Sequence, residues 1–232
     1  MSNSERQFVQ YAFYKVDPAW RLLPEDQRDA GKQEFLAVCN EFSDMMPMLR
    51  SYSLVGIRGD VDFMLWKASD DLETLNALGS RLLGTGLGKW LRTPYVYLAA
   101  TRESLYIRGH RHEGQEGTQT KIGVVGSKYL FVYPFVKTRA WYTLPMQDRH
   151  RMMGVHFKIG HDFPAIKIHT AYSYGIDDQE FMLGFESDDP HDFVDLVMAL
   201  RDSEASSYTE RDVPIFTCLS MELPQVLDSL GG

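Results

Sequence analysis

Histidines are the first residues in this chain that could bind a metal or move a proton. There are seven of them: His110, His112, His150, His156, His161, His169 and His191. The sequence contains no His-x-x-x-His pair and no Cys-x-x-Cys pair. The ligand spacing that is typical of zinc sites is therefore missing.

His156 is the most informative of the seven because of its place in a predicted helix. The run from Pro145 to Ile159 begins with proline, which is favoured at the first turn of a helix. His156 shares one face of this helix with Met152, Met153 and Ile159. An imidazole on an apolar face needs a hydrogen-bond partner or a metal. His156 is therefore either a hydrogen-bonded core histidine or an axial ligand to a haem iron.

A tyrosine and a lysine lie on one predicted strand, Lys128 to Lys137. Tyr133, Phe135 and Lys137 share one face of that strand, since side chains alternate between the two faces. If this face points inward, a buried phenol and an ammonium share a cavity. The alternative is a core tyrosine beside a lysine whose head reaches the surface. Trp141 follows, and a packing role is the simplest hypothesis for it.

An arginine and a serine close the last long helix. Arg201 stands at the predicted carboxyl end of that helix, where a cation is favourable to the helix dipole. Ser206 follows five residues later. The two are either solvated surface residues or a guanidinium and a hydroxyl that bind a carboxylate.

The elements that must position these residues occur in the same order twice. Strand, helix, hairpin, helix and strand are predicted in the first half and again in the second. The predicted segments are 7–16, 24–42, 50–67, 72–83 and 95–99, followed by 128–137, 145–159, 166–185, 193–200 and 215–221.

The repeat is visible in the residues themselves. Ala19-Trp20-Arg21-Leu22-Leu23-Pro24 is echoed 121 positions later by Ala140-Trp141-Tyr142-Thr143-Leu144-Pro145. Asp62-Phe63-Met64-Leu65 is echoed 118 positions later by Glu180-Phe181-Met182-Leu183. The sequence therefore predicts an α+β fold of two ferredoxin-like β-α-β-β-α-β units, whose sheets pack into a dimeric α/β-barrel-type core.

The halves are expected to meet in a long connection. Residues 101–127 are rich in Gly, Gln, Glu and Thr, and long loops of this kind are often functional. We place the boundary between residues 115 and 116, which gives an N-terminal ferredoxin-like half, 1–115, and a C-terminal half, 116–232. The candidate iron ligand lies in the C-terminal half.

Composition excludes several classes of protein. With 44% hydrophobic residues among 232, the chain can form a core, so disorder is not expected. No apolar run is long enough to span a membrane, and the net charge of −8 argues against non-specific binding of nucleic acid. Two cysteines, Cys39 and Cys218, are too few for a disulfide framework and indicate a reducing, cytoplasmic location.

Several motifs, in the same order, resemble those of the chlorite dismutase superfamily. The resemblance covers nearly the whole chain, from Gln7 to about Cys218. The matching stretches are Thr85-Gly86-Leu87-Gly88-Lys89-Trp90-Leu91, Tyr133-Pro134-Phe135-Val136-Lys137, Trp141-Tyr142-x-Leu144-Pro145, Met152 to His156, Gly175-x-Asp177-Asp178-x-Glu180-Phe181 and Thr209-x-Arg211-Asp212-x-Pro214-Ile215-Phe216-Thr217.

The resemblance implies an iron porphyrin in the C-terminal half and a homopentamer. It also implies His156 as the axial ligand of the iron. One branch of the family, the dismutases, turns chlorite into chloride and dioxygen on haem b. The other, the coproheme decarboxylases, converts two propionates of iron coproporphyrin III into the vinyl groups of haem b. The decarboxylases resemble this chain in having tyrosine before the strand proline, here Tyr133, where dismutases carry an aliphatic residue.

Two departures count against chlorite chemistry. Dismutases need a distal arginine, and the two ways of counting to its position reach His169 or Ile168. A glutamate that polarises the proximal histidine in dismutases would fall at Ala205, with Glu204 adjacent. The family's propionate-binding arginine and serine match Arg201 and Ser206.

The expected function is therefore peroxide-dependent coproheme decarboxylation, which makes the protein an oxidoreductase of haem biosynthesis. Tyr133 would form a radical, Lys137 would anchor the reacting propionate, and Trp141 would pack nearby. Iron coproporphyrin III is both substrate and redox centre, and haem b is the product. Candidates for a distal base are His110, His112 and His169. The alternatives are a chlorite dismutase or haem peroxidase, and a non-catalytic haem-binding protein.

Overall fold

The computed structural model describes residues 6–104, 106 and 120–231. The chain divides into two compact units, one made of residues up to 100 together with 217 onwards, the other of residues 101–216. The predicted boundary at residues 115 and 116 lies outside the described residues. The end of the chain, from residue 217, groups with the first unit.

The first unit is a sheet with helices packed against it. Its four consecutive strands pair in the order β4-β1-β3-β2, all antiparallel, which is the ferredoxin-like order, and the late strand β9 adds to β2. The elements are β1 Phe8–Val16, α1 Glu25–Ser43, β2 Met48–Ser53, β3 Phe63–Ser69, α2 Leu72–Leu83 and β4 Leu91–Ala100, then β9 Phe216–Ser220 and α6 Leu223–Asp228.

The second unit repeats the pairing of the first. Its central strands pair antiparallel as β6-β7-β5, which is the counterpart of β2-β3-β1, and β8 adds to the far side of β5. The elements are β5 Tyr129–Lys137, α3 Arg139–Thr143, α4 Met146–His161, β6 Lys167–Tyr172, β7 Phe181–Ser187, α5 Pro190–Arg201, a short 3-10 helix Glu204–Tyr208 and β8 Thr209–Arg211.

The same local chemistry starts corresponding elements in the two units. Asp71 accepts a hydrogen bond from the N–H of Thr74 and begins α2, and Asp189 does the same for His191 and begins α5. Pro24 and Pro145 precede α1 and α4. The starts of α1, α2 and α4 agree with the predicted helices to within one residue, whereas α5 begins at Pro190, three residues before its predicted start.

In both units, an acidic residue just before the third strand accepts a hydrogen bond from the last residue of the first strand. The Asp62 carboxylate accepts a hydrogen bond of 2.8 Å from the N–H of Val16, the last residue of β1. The Glu180 carboxylate accepts a 2.8 Å bond from the N–H of Lys137, the last residue of β5. The predicted repeat is therefore confirmed as a repeat of backbone and hydrogen bonds, and the fold is α+β and ferredoxin-like.

The first unit buries a large apolar core between sheet and helices. Phe35 of α1 is fully buried and packs edge-on against Tyr14 and Phe63, with ring centroids 6.4 and 6.0 Å away. Cys39 and Cys218 are buried and form no disulfide with any described residue. Within the described residues, no helix is long and apolar enough to cross a membrane.

Candidate functional site

One face of the second unit's sheet carries two of the predicted site residues, Tyr133 and Lys137. Phe131 of β5 stacks on Phe193 of α5, so the odd-numbered residues of β5 point toward the helices. Tyr133 and Lys137 are on this face, as predicted from the alternation of the strand. The opposite face of β5 carries the even-numbered residues.

Tyr133 is buried with a phenol that has no hydrogen-bond partner among the described residues. It is 8% exposed, and its ring stacks on Phe185 with centroids 5.7 Å apart. Burial raises the pKa of Tyr133 above its usual value, Asp212 raises it further, and Arg201 opposes the shift. The phenol is therefore fully protonated at neutral pH and can act as a source of a hydrogen atom.

Lys137 is a buried cation at the end of β5. It is 9% exposed, and its Nζ donates a 2.8 Å hydrogen bond to the carbonyl of Ala205. The same nitrogen lies 4.6 Å from the centroid of the Trp141 ring and 5.2 Å from that of Phe135, both within cation–π range. Burial lowers the pKa of Lys137 to about 8, and Glu180 partly offsets this. No carboxylate among the described residues forms an ion pair with it.

His156 is a half-buried imidazole with no hydrogen-bond partner in the described part of the chain. Burial lowers its pKa to about 4, with a further contribution from the positive charge of Lys137. Neighbours on its face of α4 pack in the surrounding clusters, Met152 and Met153 with Trp141, and Ile159 with Tyr133. The imidazole is therefore neutral at physiological pH, which is the form that binds a metal.

Arg201 and Ser206 lie together beyond the end of α5. The Arg201 guanidinium forms an ion pair with Asp212, and half of its side chain, 51%, is exposed. Ser206 donates its hydroxyl to the carbonyls of Arg201 and Ser203, at 2.6 and 2.8 Å. Both Arg201 and Asp212 influence the pKa of Tyr133, so this ion pair faces the phenol. Asp212 is in a matched motif, but its spacing gave no signal that it would pair with Arg201.

Trp141 is buried in an aromatic cluster beside Lys137. It is 2% exposed, and its ring lies 5.5 Å from Tyr208 and 6.3 Å from Tyr106. Trp20, its counterpart in the repeat, is also fully buried. The two tryptophans share a packing role, but among the described residues a buried cation contacts the ring of Trp141 and none contacts that of Trp20.

Glu180, Tyr142 and Tyr174 form a hydrogen-bonded group next to Lys137 that the sequence did not indicate. Glu180 accepts a 2.5 Å hydrogen bond from the hydroxyl of Tyr142 in addition to the Lys137 N–H. The Tyr142 hydroxyl also lies 2.5 Å from that of Tyr174. Burial and these hydrogen bonds raise the pKa of Tyr142 well above its usual value. The repeat of Asp62 and Glu180 was the only sequence signal for this group.

His169 is not brought to the face that carries Tyr133. It pairs with Gly184, one residue out of step with Phe185, so it points to the opposite side of the sheet. There it is buried, and its Nε2 lies 2.7 Å from the carboxylate of Glu186. Burial would raise the pKa of Glu186, but hydrogen bonds from His169 and from the backbone of Val125 and Gly126 hold it below its usual value.

Ile168, not His169, faces the site. It pairs with Phe185 and packs in the apolar cluster that contains Tyr133. Of the two positions reached by counting to the dismutase arginine, Ile168 is the one on the face that carries Tyr133. His110 and His112 lie outside the described residues.

The position of the dismutase glutamate is also apolar. Ala205 is buried, and the adjacent Glu204 forms an exposed bidentate ion pair with Arg151, at 2.8 and 3.0 Å. No described carboxylate accepts a hydrogen bond from His156. In the described part of the chain, no group of three or more His, Cys, Asp or Glu residues could hold a metal ion. A neutral, unpartnered imidazole fits an iron whose other ligands come from a porphyrin.

Comparison with known protein families identifies the family of this chain. The family described as chlorite dismutase matches residues 28–221. The chain belongs to the chlorite dismutase family. Among curated proteins, the coproheme decarboxylase of Mycolicibacterium smegmatis is 28% identical over 217 residues, which cover 93% of this chain and 90% of that protein.

Solved structures share the fold over nearly the full length. A mutant chlorite dismutase from Candidatus Nitrospira defluvii superposes with a TM-score of 0.88 at 22% identity, covering 97% of this chain and 95% of that one. A haem-binding protein from Thermus thermophilus superposes with a TM-score of 0.83 at 22% identity, with the same coverage of 97% and 95%. At this identity the superpositions establish the fold alone.

Proposed function

We propose that this member of the chlorite dismutase family is a coproheme decarboxylase. The observation that carries the proposal is a buried, unpartnered Tyr133 phenol on the same strand face as the buried Lys137 ammonium. A phenol can lose and regain a hydrogen atom, whereas the aliphatic residue of a dismutase cannot. The similarity to the M. smegmatis coproheme decarboxylase supports the same reaction.

The chain's residues fit iron coproporphyrin III as substrate. The neutral His156 imidazole would bind the iron as its protein ligand. The apolar and aromatic side chains of Phe185, Ile168 and Met153 would contact the macrocycle. Four propionates bring a charge of about −4 at neutral pH, so the site needs buried and half-buried cations, which Lys137 and Arg201 supply.

The overall reaction removes one carboxylate at a time. Each propionate side chain, with one molecule of hydrogen peroxide and one proton, gives a vinyl group, carbon dioxide and two molecules of water. When bound, the iron porphyrin supplies the redox centre that reduces peroxide. Tyr133 would give up its phenolic hydrogen atom, become a phenoxyl radical and then take a β-hydrogen atom from the propionate. Loss of carbon dioxide and of one further electron completes the vinyl group.

Lys137 would hold the reacting carboxylate in reach of Tyr133. Its Nζ already has one acceptor, the Ala205 carbonyl, and retains donors for a propionate. Arg201 and Ser206 would bind a propionate that is retained: the guanidinium would be shared between that carboxylate and Asp212, and the single Ser206 O–H would turn to the propionate from the backbone carbonyls that accept it in this structure. Trp141 contacts the same ammonium through a cation–π interaction.

A second candidate is a haem protein without decarboxylase activity, because the similar T. thermophilus structure is described only as a haem-binding protein. Under that hypothesis Tyr133 is a packing residue. Chlorite dismutation is the weaker alternative because neither position reached by counting to the required arginine, Ile168 or His169, is an arginine. We further propose a homopentamer in the cytoplasm, which light scattering on the purified protein and cell fractionation would test.

The test is to add ferric coproporphyrin III and hydrogen peroxide to the purified protein and to follow the porphyrin by mass spectrometry. We expect two successive losses that correspond to conversion of propionate to vinyl. Tyr133→Phe should bind coproheme with unchanged affinity and decarboxylate it at least about a hundredfold more slowly. Tyr129→Phe, on the same strand face, is the matched control and should react like the wild type.

Three results would contradict the proposal. They are bleaching of the porphyrin without decarboxylation, normal turnover by Tyr133→Phe, and release of dioxygen from chlorite at the expense of decarboxylation. Normal binding without turnover in the wild type would favour the non-catalytic haem protein.

A further inference from the structure

The first unit contains a cavity of about 420 Å³ between its sheet and α2. Its volume lies within the range of small-molecule sites. The floor is formed by β1 and β3 and the opposite wall by α2, with β4 along one side. The lining residues that matter for its chemistry are Gln10, Ala12, Lys67 and Leu75. Leu83 and Val96 are 64% and 44% exposed, so the cavity opens to solvent on this side.

The repeat explains why this space is open. In the second unit, the corresponding space is filled by four aromatic rings. Phe131 stacks on Phe193 at 4.1 Å, Phe185 lies 5.1 Å from Phe193, and Tyr133 stacks on Phe185 at 5.7 Å. The residues at the equivalent places in the first unit are Gln10, Leu75, Lys67 and Ala12. All four line the cavity.

Lys67 places a buried, positively charged group in the wall of this cavity. It is 1% exposed, and no carboxylate among the described residues pairs with it. Gln10 lies directly opposite it on β1 and adds an amide to the same face. Burial lowers the pKa of Lys67 to about 8, so the ammonium form still prevails at neutral pH.

The Cys39 thiol, whose charge would act on Lys67, does not neutralise this ammonium. Burial raises the pKa of the Cys39 thiol to about 12, despite the opposing effect of Lys67. A buried cation without an anion is costly, and an anion supplied by a ligand would remove the cost. Ala12 and Leu75, together with leucines of α2 and β4, offer an apolar wall to the rest of the ligand, and the polar side chains of Asn76, Ser80 and Thr93 interrupt that wall.

We propose that this cavity binds a small monocarboxylate with an apolar chain, its carboxylate held by Lys67 and Gln10. The site is in the first unit and uses none of the residues assigned to the porphyrin. It therefore stands or falls independently of the proposed decarboxylase activity.

Calorimetric titration with decanoate, with decanol as the neutral control, tests the proposal on the full-length protein. The wild type should bind one decanoate per chain and bind decanol at least about tenfold more weakly, because an ion-assisted hydrogen bond is lost. Lys67→Met keeps the length of the side chain and removes the charge, so it should weaken decanoate binding at least about tenfold. Lys15→Met, on the neighbouring strand and outside the cavity, is the matched control and should bind like the wild type.

Filling the cavity is the independent arm of the test. Ala12→Phe places a ring where the second unit has Tyr133, and it should abolish decanoate binding. Ala12→Leu is the smaller substitution if the phenylalanine variant does not fold. The absence of saturable binding by the wild type would overturn the proposal, as would unchanged binding in Lys67→Met or in the folded Ala12 variants.

Discussion

The two units of this protein share a backbone pattern but carry different kinds of side chain at equivalent positions. Three positions of the repeat show the contrast. Where the first unit has Ala12, Val16 and Phe35, the second has Tyr133, Lys137 and His156. The first three are buried in one apolar cluster. Their counterparts are a phenol, an ammonium and an imidazole, and none of them has a side-chain partner that neutralises or satisfies it among the described residues.

This difference separates the requirements of folding from those of the site. The acidic residue that closes the first strand, the aspartate that begins the second helix and the buried tryptophan occur in both units. These shared features build the fold. The residues that differ at equivalent positions create the candidate porphyrin site in one unit and the lysine-lined cavity in the other.

The largest expected effect comes from truncating the equivalent helix residues. His156→Ala should abolish decarboxylation and remove the spectrum of histidine-bound coproheme, with little loss of stability since the imidazole makes no hydrogen bond to the described residues. Phe35→Ala should leave a cavity in a packed core and lower the free energy of unfolding by about 3–5 kcal/mol. Absorption spectroscopy and urea denaturation measure the two effects. Equal loss of stability in both variants would show that His156 is a core residue.

Removing the buried ammonium of the second unit should have the next largest effect. Lys137→Met should slow decarboxylation about ten- to a hundredfold, since a charge-assisted hydrogen bond to the propionate is lost. Lys128→Met, at an exposed position just before the same strand, is the matched control. Steady-state turnover by the two variants, measured by the loss of propionates, decides the point, and full activity of Lys137→Met would refute the role given to it.

The two buried lysines also predict a dependence of stability on pH. Lys137 and Lys67 have folded-state pKa values of about 8, below the value of 10.5 expected when unfolded. Between these values the unfolded chain binds more protons, so each lysine makes the free energy of unfolding rise with pH, by on the order of 2–3 kcal/mol. Below pH 8 both states are protonated and this gain is absent.

Single and double variants separate the two contributions. Lys137→Met and Lys67→Met should each lose about half of the rise between pH 8 and 10.5, and the double variant should lose all of the rise that the lysines cause. Urea denaturation at several pH values measures it. An unchanged rise in either single variant would show that its lysine is not held in a desolvated place.

A smaller effect is expected at the acidic residues that close the first strands. Glu180→Gln and Asp62→Asn each weaken a charged acceptor of a backbone N–H and should cost about 1–2 kcal/mol of stability. Only Glu180→Gln should also slow decarboxylation, because Glu180 raises the pKa of Lys137 and accepts a hydrogen bond from its backbone N–H. Equal activity of the two variants would mean that Glu180 is purely structural.

The smallest effect is expected from one exposed ion pair in each unit. Arg151 pairs with Glu204 in the second unit, and Arg81 pairs with Glu41 in the first. Solvent screens such pairs, so Arg151→Ala and Arg81→Ala should leave the midpoint of thermal unfolding within the scatter of repeated measurements. A clear drop for Arg151→Ala alone would indicate that Glu204 takes part in the site.

Much of the fold was predictable because its signals are local. Helix boundaries follow from prolines, aspartates and apolar spacing, and the repeat follows from matching residues. The placement of the end of the chain was not predictable in this way. Residues 217–231 group with the first unit, and the pairing of β9 with β2 joins residues far apart in the sequence.

The site was predictable in part for the same reason. Strand alternation placed Tyr133 and Lys137 on one face, and helical spacing placed His156 beside Met152 and Met153. The sequence could not decide between Ile168 and His169, since a shift of one residue moves a strand side chain to the other face. The pairing with β7 places Ile168, and not His169, on the face that carries Tyr133.

By itself, the sequence determined the repeated α+β fold and the types of residue that could perform chemistry, because backbone preferences and side-chain chemistry are properties of each short segment. Tertiary structure decided which of these residues meet, and with which partners. The Lys137 contact with Ala205 and the cavity beside Lys67 depend on pairing and packing between distant segments. The Lys137 contact with Trp141 and the Arg201 pair with Asp212 span shorter stretches of chain, and they depend on how the turns between those residues fold. Burial then changes the pKa values of these groups, and burial exists only once the chain is folded.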